Sequence, residues 1–97
     1  MQRMPSISNR NAIASAAFGP VLRRLRRERG VSQADFSKLA GVDRTFISQL
    51  ERSIRQPSLA VFMVIARTLE IDPTRLMSLT VKQLKTVAPA FLKGAAG

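Results

Sequence analysis

Residues 32–52, SQADFSKLAGVDRTFISQLER, decide the fold of this chain. Ser32 followed by Asp35 is a capping-box pattern, in which the serine hydroxyl caps the first turn of a helix. Gly41 ends that helix after about eight residues, and Asp43 caps a second short helix. The stretch therefore predicts two short helices joined by a tight turn that contains glycine.

The second of these helices has two unlike faces when its residues are placed about 100° apart. Phe46, Ile47 and Leu50 fall on one side, and Glu51 lies at the border. The opposite side is free of acidic residues and carries Arg44, Thr45, Ser48, Gln49 and Arg52. Arginine pairs with guanine and glutamine with adenine in the major groove, so this face predicts DNA contact, with an ordinary solvated surface as the alternative. Together the two helices have the outline of a helix-turn-helix.

A longer amphipathic helix precedes this pair and runs from about residue 16 to residue 29. Its apolar stripe is formed by Phe18, Leu22 and Leu25, with Val21 beside them. Pro20 is tolerated near the start of the helix, where its missing N–H costs little, and Gly30 ends the helix. The helix also carries a basic cluster, which is either a DNA site or a solvated face: Arg23, Arg24, Arg26, Arg27 and Arg29.

Two further helices follow the helix pair. Ser58 caps a fourth helix, whose inward residues are predicted to be Leu59, Phe62, Ile65, Ala66 and Leu69. Asp72 and Pro73 supply an N-cap and a first-turn proline for a fifth helix. This helix either continues to about Ala88 or is followed by a sixth short helix beyond Pro89. No segment alternates as a half-buried strand does, so the fold class is predicted to be all-α.

The length of the chain, 97 residues, is that of one domain. We expect residues 1–14 to be a flexible N-terminal arm and residues 15–79 to be the DNA-binding domain. Residues 80–97 are expected to form a C-terminal extension that serves for dimerisation. No separate domain for a small-molecule ligand fits beside them.

The composition argues against an enzyme. The chain holds 16 Lys and Arg against 6 Asp and Glu, a net charge of +10, with no histidine and no cysteine. Thiolate and imidazole metal ligands and catalysis by Cys or His are therefore excluded. The positive charge predicts a polyanionic partner, and no apolar run is long enough to span a membrane. No secretory signal is evident, so we expect a cytoplasmic, non-enzymatic protein without metal or cofactor.

A set of short motifs is spread over residues 18–79 with a specific joint spacing. The motifs are Phe18-Gly19, Leu22-Arg23, Leu25-Arg26, Arg29-Gly30-Val31-Ser32-Gln33-Ala34, Leu39-Ala40-Gly41-Val42, Ile47-Ser48, Leu50-Glu51-Arg52, Pro57-Ser58-Leu59 and Ile71-Asp72-Pro73. On these motifs the chain resembles the phage-repressor-like (XRE, Cro-type) helix-turn-helix transcriptional regulators. The resemblance implies a compact five-helix domain. The run from Asp43 to Ser48 also resembles the recognition helices of restriction-modification controller proteins.

The resemblance implies a role for individual residues. The implied base-reading residues are Arg44, Thr45, Ser48 and Gln49. The implied phosphate contacts are Gln33, Arg52 and Arg55. Arg26 and Glu51 match an internal ion pair that joins the first helix to the end of the third. Two residues depart from the common pattern: Ser53 replaces a frequent glycine, which predicts a different turn, and Phe46 is bulky, which suits packing or a contact with a thymine methyl.

The expected function is sequence-specific binding of double-stranded DNA by a homodimer on paired half-sites, with autoregulation of transcription. The surplus apolar residues assigned to the dimer interface are Leu84, Val87, Phe91 and Leu92. One alternative is an antitoxin or adaptor that binds a partner protein through the C-terminal segment. Another is a non-specific, nucleoid-type basic protein. RNA binding is less favoured because Trp and Tyr, which stack on bases, are absent.

Overall fold

The computed structural model describes residues 7–92, with the side chains of residues 9–91. These residues form five α-helices and a short 3-10 turn, and none of them is in a strand. The helices are α1 (Ile7–Glu28), α2 (Gln33–Ala40), α3 (Arg44–Glu51), α4 (Leu59–Thr68) and α5 (Pro73–Val87), and the 3-10 turn is Pro89–Leu92. The predicted all-α class is confirmed. None of the described helices is both long enough and apolar enough to cross a membrane.

Helix α1 begins at Ile7, well before the predicted start near residue 16. Residues 7–14 are therefore its first two turns, and the prediction of an arm is wrong for them; residues 1–6 lie outside the described part. Pro20 accordingly sits inside the helix rather than near its start. Its ring nitrogen has no hydrogen to donate to the carbonyl of Ala16, and Pro20 itself is exposed.

The N-terminal caps agree with the sequence at three of four helices. The hydroxyls of Ser32 and Ser58 accept hydrogen bonds from the backbone N–H three residues on, and the carboxylate of Asp72 accepts one from Thr74. Asp43 occupies the N-cap position of α3, but its side chain makes no cap hydrogen bond. The predicted capping role of Asp43 is therefore wrong.

Four helices end in a left-handed residue: α2 ends at Gly41, with φ of 67°, and the other three have the hydrogen bonds of a Schellman motif. After α1 this residue is Gly30, with φ of 68°. After α3 it is Ser53, with φ of 62°, and the N–H of Ile54 reaches back to the carbonyl of Gln49 at 2.9 Å. After α4 it is Glu70, with φ of 57°. Ser53 thus adopts the conformation that glycine favours, and the predicted difference in turn shape is wrong.

The core contains one apolar stripe from each helix. Its fully buried members include Leu22, Phe36, Ile47, Leu50, Ile65 and Leu76. Leu59, predicted to point inward, is 69% exposed, and Leu39 on α2 is 68% exposed. In α2 the buried pair is Phe36 and Ala40, one turn apart, which turns Leu39 away. Leu59 is the first residue of α4 and lies beyond the last core layer.

Helix α5 packs along α1 and is followed by the 3-10 turn, which contacts the end of α5. The helix ends at Val87, where the N–H of Ala88 still bonds to the carbonyl of Leu84 at 2.8 Å. Pro89 cannot continue this pattern because it lacks an N–H. Both predicted courses of the chain are thus realised in part: α5 extends almost to Ala88, and a short helical turn follows.

Candidate nucleic-acid interface

Helix α3 separates an apolar side from a polar side as predicted. Ile47 and Leu50 are 0% exposed and anchor the helix in the core. On the polar side Arg44, Thr45 and Arg52 are exposed, whereas Ser48 and Gln49 are half-buried. Because the apolar anchors are on the opposite side, the polar residues stand on a rigid support and present donors and acceptors outward.

The end of α3 is tied to α1 by a buried ion pair. Nε of Arg26 donates to Oε2 of Glu51 at 2.6 Å, and its Nη2 donates to Oε1 at 2.9 Å. The remaining Nη1 donates to the carbonyl oxygen of Val31 at 2.7 Å. The hydrogen bonds to Glu51 raise the pKa of Arg26, so the guanidinium stays charged. The ion pair inferred from the resemblance is therefore present, and it fixes the orientation of α3 relative to α1.

Gln33, at the first position of α2, is held by the same carboxylate. Its Nε2 donates to Oε1 of Glu51 at 3.1 Å. Glu51 thus accepts hydrogen bonds from both α1 and α2 at the end of α3. An amide nitrogen carries two hydrogens, so Gln33 keeps a second N–H for an acceptor such as a phosphate. Its assignment as a phosphate contact stays a prediction.

Arg55 lies in the loop between α3 and α4 and is exposed. The loop is ordered by hydrogen bonds to the carbonyl of Gln49, which accepts from Ile54 at 2.9 Å and from Arg55 at 3.4 Å. The first turns of α1 lie beside this loop, where Asn11 and Ser15 line the same surface depression as Arg55. The loop therefore presents the arginine from a supported backbone, next to the polar side of α3.

Phe46 is half-buried and packs against the core. Of the two uses considered for its bulk, the structure thus shows the packing contact. The aromatic ring borders the apolar side of α3, adjacent to Leu50 in the helical projection.

The implied contacts lie on α3 or beside its end. Arg44 is on α3 and Arg52 follows its last residue, Gln33 donates to Glu51 at that end, and Arg55 is in the loop that follows. Exposed arginines and a helix of suitable size for the major groove can bind a duplex through its phosphates and base edges. Asp43, at the N-cap of α3, is an exposed acid at the start of this helix.

Comparison with known proteins identifies the family. The sequence profile described as helix-turn-helix matches residues 22–76. The chain belongs to the XRE-type helix-turn-helix family. Comparison with curated proteins gives no match.

Several solved structures resemble this helix-turn-helix chain. The restriction-modification controller protein C.AhdI from Aeromonas hydrophila is 37% identical over 64% of this chain and 94% of its own, with a TM-score of 0.62. The controller protein C.Esp1396I, as a tetramer in complex with its natural 35-base-pair operator, is 25% identical over 82% of this chain and 97% of its own, with a TM-score of 0.64. The clp gene regulator ClgR from Corynebacterium glutamicum shares the fold at 20% identity, over 78% of this chain and 81% of its own, with a TM-score of 0.72. The antitoxin or adaptor alternative gains no support from these likenesses.

The residues assigned to a dimer interface are in different environments. Val87 is 43% exposed, whereas Leu84 is only 9% exposed because it is packed within its own chain. Phe91 is half-buried in the 3-10 turn, and the side chain of Leu92 lies outside the described part. Leu84 can therefore meet a second chain only at its edge, and the assignment of the four residues as a dimer interface stays a prediction.

An apolar groove between α1, α5 and the start of α4 was missed by the sequence reasoning. Phe18, Phe62, Val81 and Leu84 lie along it, and Leu59 and Met77 are exposed at its border. The signal that could have revealed the groove is Leu59, an apolar residue at the first position of α4. The helix projection assigns Leu59 to the core, but the core does not extend to this position.

Proposed function

We propose that this protein is a sequence-specific DNA-binding transcriptional regulator that reads operator DNA with α3. The observation that carries the proposal is the acid-free polar side of α3, backed by two fully buried residues, Ile47 and Leu50. Membership of the helix-turn-helix family supports it. We assign base contacts to Arg44, Thr45, Ser48 and Gln49, and phosphate contacts to Gln33, Arg52 and Arg55. The protein acts in the cytoplasm without catalytic activity.

The proposal includes a homodimer on two half-sites, because one such domain makes few base contacts. Its support is exposed apolar surface: Leu59 and Met77 at the groove are 69% and 45% exposed, and Val87 at the end of α5 is 43% exposed. The similar protein C.Esp1396I is a tetramer in complex with its operator, which supports an assembly on DNA here. We propose that α5 and the border of the groove form the dimer surface here, and that the protein binds upstream of its own gene.

The deciding experiment compares two arginines of different proposed role. Arg44→Ala removes a base contact, so it is expected to weaken operator binding by about 1–3 kcal/mol and to affect a scrambled duplex much less. Arg55→Ala removes a phosphate contact, so it is expected to weaken both duplexes alike and to lower the salt slope by about one unit per subunit. Footprinting on the DNA upstream of its gene supplies the operator. Equal losses on both duplexes for Arg44→Ala would contradict the base-reading role.

The dimer is tested by sedimentation. The wild type is expected to show a concentration-dependent approach to twice the monomer mass, and Met77→Glu is expected to shift it to the monomer. Leu39→Glu is the matched control, because Leu39 is at least as exposed but lies on α2, away from the groove. The dimer would be contradicted if sedimentation gave the monomer mass at all concentrations, micromolar and higher ones included, and if the protein also bound operator DNA as a monomer.

A further inference from the structure

Arg23 and Arg27 lie on an exposed face of α1. They do not contribute to the core, and they are not part of the polar side of α3. We infer that these two arginines bind the phosphate backbone of the operator and extend the DNA surface from α3 onto α1. The inference rests on the proposed function and adds an element to it.

The contact between α1 and the end of α3 is defined by two residues of α1. Gly19 faces the backbone of α3, since a Cβ on it would lie 2.6 Å from the carbonyl oxygen of Leu50. Two turns further on, Arg26 donates to Glu51. Gly19 and Arg26 are seven residues apart in sequence, so they mark one line along α1 that faces α3.

The order of residues around α1 places Arg23 and Arg27 on the solvent side of that line. At about 100° per residue, Leu22 lies about 40° from Arg26 on one side, and Arg23 and Arg27 lie about 60° and 100° from it on the other. Leu22 is 0% exposed and therefore marks the side of the core. The order around α1 is therefore the core side first, then the contact with α3, and then Arg23 and Arg27.

The order around α3 is the same. Leu50 marks the core, Glu51 marks the contact with α1, and beyond Glu51 come Ser48 and Arg52. Arg23 lies between Gly19 and Arg26 in sequence, and both of these residues contact the end of α3. Arg23 is therefore placed beside that end of α3, on the exposed side of the Arg26–Glu51 ion pair.

The ion pairs of α1 distinguish Arg23 and Arg27 from the neighbouring arginines. Arg24 is 3.8 Å from Glu28, and Arg29 is 3.0 Å from Glu70. Among the described residues no carboxylate lies within 4.0 Å of Arg23 or Arg27. Unpaired guanidinium groups beside a DNA-reading helix attract phosphates, because each phosphate contact releases condensed counterions.

The test measures operator affinity at several salt concentrations for the full chain. Arg23→Gln with Arg27→Gln removes the two proposed contacts and keeps the apolar stems. The control, Arg67→Gln with Arg75→Gln, removes the same charge from exposed arginines on α4 and α5, outside the depression that Arg23 and Arg27 line. We expect the first variant to lower the slope of log affinity against log salt by about 1.8 per subunit, on operator and scrambled DNA alike, and the control to leave it nearly unchanged.

The outcomes separate this inference from the proposed function. If the wild type prefers its operator and Arg44→Ala reduces that preference, the proposed function stands. If in that case the Arg23/Arg27 variant has the same slope as its control, the inference alone is overturned. If the wild type shows no preference for any upstream DNA, the proposed function fails. If the Arg23/Arg27 variant then also keeps the salt slope of the wild type, the α1 contacts fail as well. Circular dichroism confirms that both variants are folded.

Discussion

Gly19 and Leu50 are in close backbone contact across the junction of α1 and α3. A Cβ atom on Gly19 would lie 2.6 Å from the carbonyl oxygen of Leu50 and 2.9 Å from that of Glu51. Real Cβ atoms do not approach oxygen so closely, and neither oxygen can rotate away because both belong to the backbone of α3. Glycine at this position therefore sets the distance between the two helices.

Gly19→Ala is expected to lower the free energy of unfolding by about 1–3 kcal/mol, because the added methyl overpacks the junction. The sign is informative, since glycine to alanine inside a helix ordinarily stabilises by about 0.5–1 kcal/mol. Urea unfolding followed by circular dichroism measures the change. The Oγ of Ser53 also lies 2.6 Å from the same Cβ position, so the substitution is repeated in a Ser53→Ala background. Recovery of stability in that background would show that the hydroxyl, rather than the α3 backbone, is the obstacle.

Arg26→Ala is expected to destabilise the domain by about 3–5 kcal/mol, because it leaves the Glu51 carboxylate buried without its counter-charge. The side chain of Arg26 is 9% exposed and that of Glu51 is 2% exposed, so solvent screens the pair little. Thermal and urea unfolding measure the loss. An unchanged melting midpoint together with reduced DNA affinity would instead place Arg26 on the DNA surface.

Two controls refine the result for the ion pair. Arg29→Ala breaks the exposed pair with Glu70, whose side chains are 46% and 79% exposed, and is expected to cost about 1 kcal/mol or less. The double change Arg26→Met with Glu51→Leu removes both charges and is expected to be much less destabilising than Arg26→Ala alone.

Ser53→Gly is expected to raise the free energy of unfolding by about 0.5–1 kcal/mol. A left-handed conformation costs a residue with a Cβ about 1–2 kcal/mol, and the greater freedom of glycine in the unfolded chain offsets part of the gain. Ser53→Ala, which keeps a Cβ at the same φ of 62°, is the control and is expected to bring no gain. Equal stability of the glycine and alanine variants, by urea unfolding, would argue against strain at this turn.

The cap of α5 is expected to weaken in acid. The hydroxyl and the backbone N–H of Thr74 donate to Asp72 and lower the pKa of its carboxyl below the ordinary value. A group whose pKa is lower in the folded state stabilises the fold above its unfolded pKa, about 3.9, and this stabilisation is lost as the pH falls through the folded value. The melting temperature of Asp72→Ala should therefore lie below that of the wild type at pH 6, and the difference should shrink below pH 4. Asp43→Ala, at a cap position without a side-chain hydrogen bond, is the control and should show little change at either pH.

The fold was largely predictable because local signals and core spacing agree. Ser32, Ser58 and Asp72 each cap a helix, and the predicted inward residues of α4 are buried except Leu59. The errors arise where a local rule meets a tertiary constraint. Pro20 suggested a late start of α1, but packing of α1 along α5 carries the helix past a residue that would otherwise break it.

The sequence predicts which side of α3 is exposed at the interface, but not which side chains contact one another. The projection of α3 assigns Arg44 and Arg52 to solvent, as observed, because the period of a helix determines its faces. It does not reveal that Gln33 donates to Glu51, since that bond depends on the approach of α2 to the end of α3. The unpaired state of Arg23 depends in the same way on which carboxylates lie within reach, and that is a tertiary property.

The two sides of α3 carry separate tasks, and this bears on how the protein changes during evolution. Ile47 and Leu50 hold the helix, while Arg44 and Thr45 are exposed. Exchanges at the outer positions alter the preferred operator at little expense in stability, whereas exchanges at the inner ones lower stability and leave the outer side chains intact. After a gene duplication, one copy is therefore free to acquire a new operator while both copies keep the same scaffold.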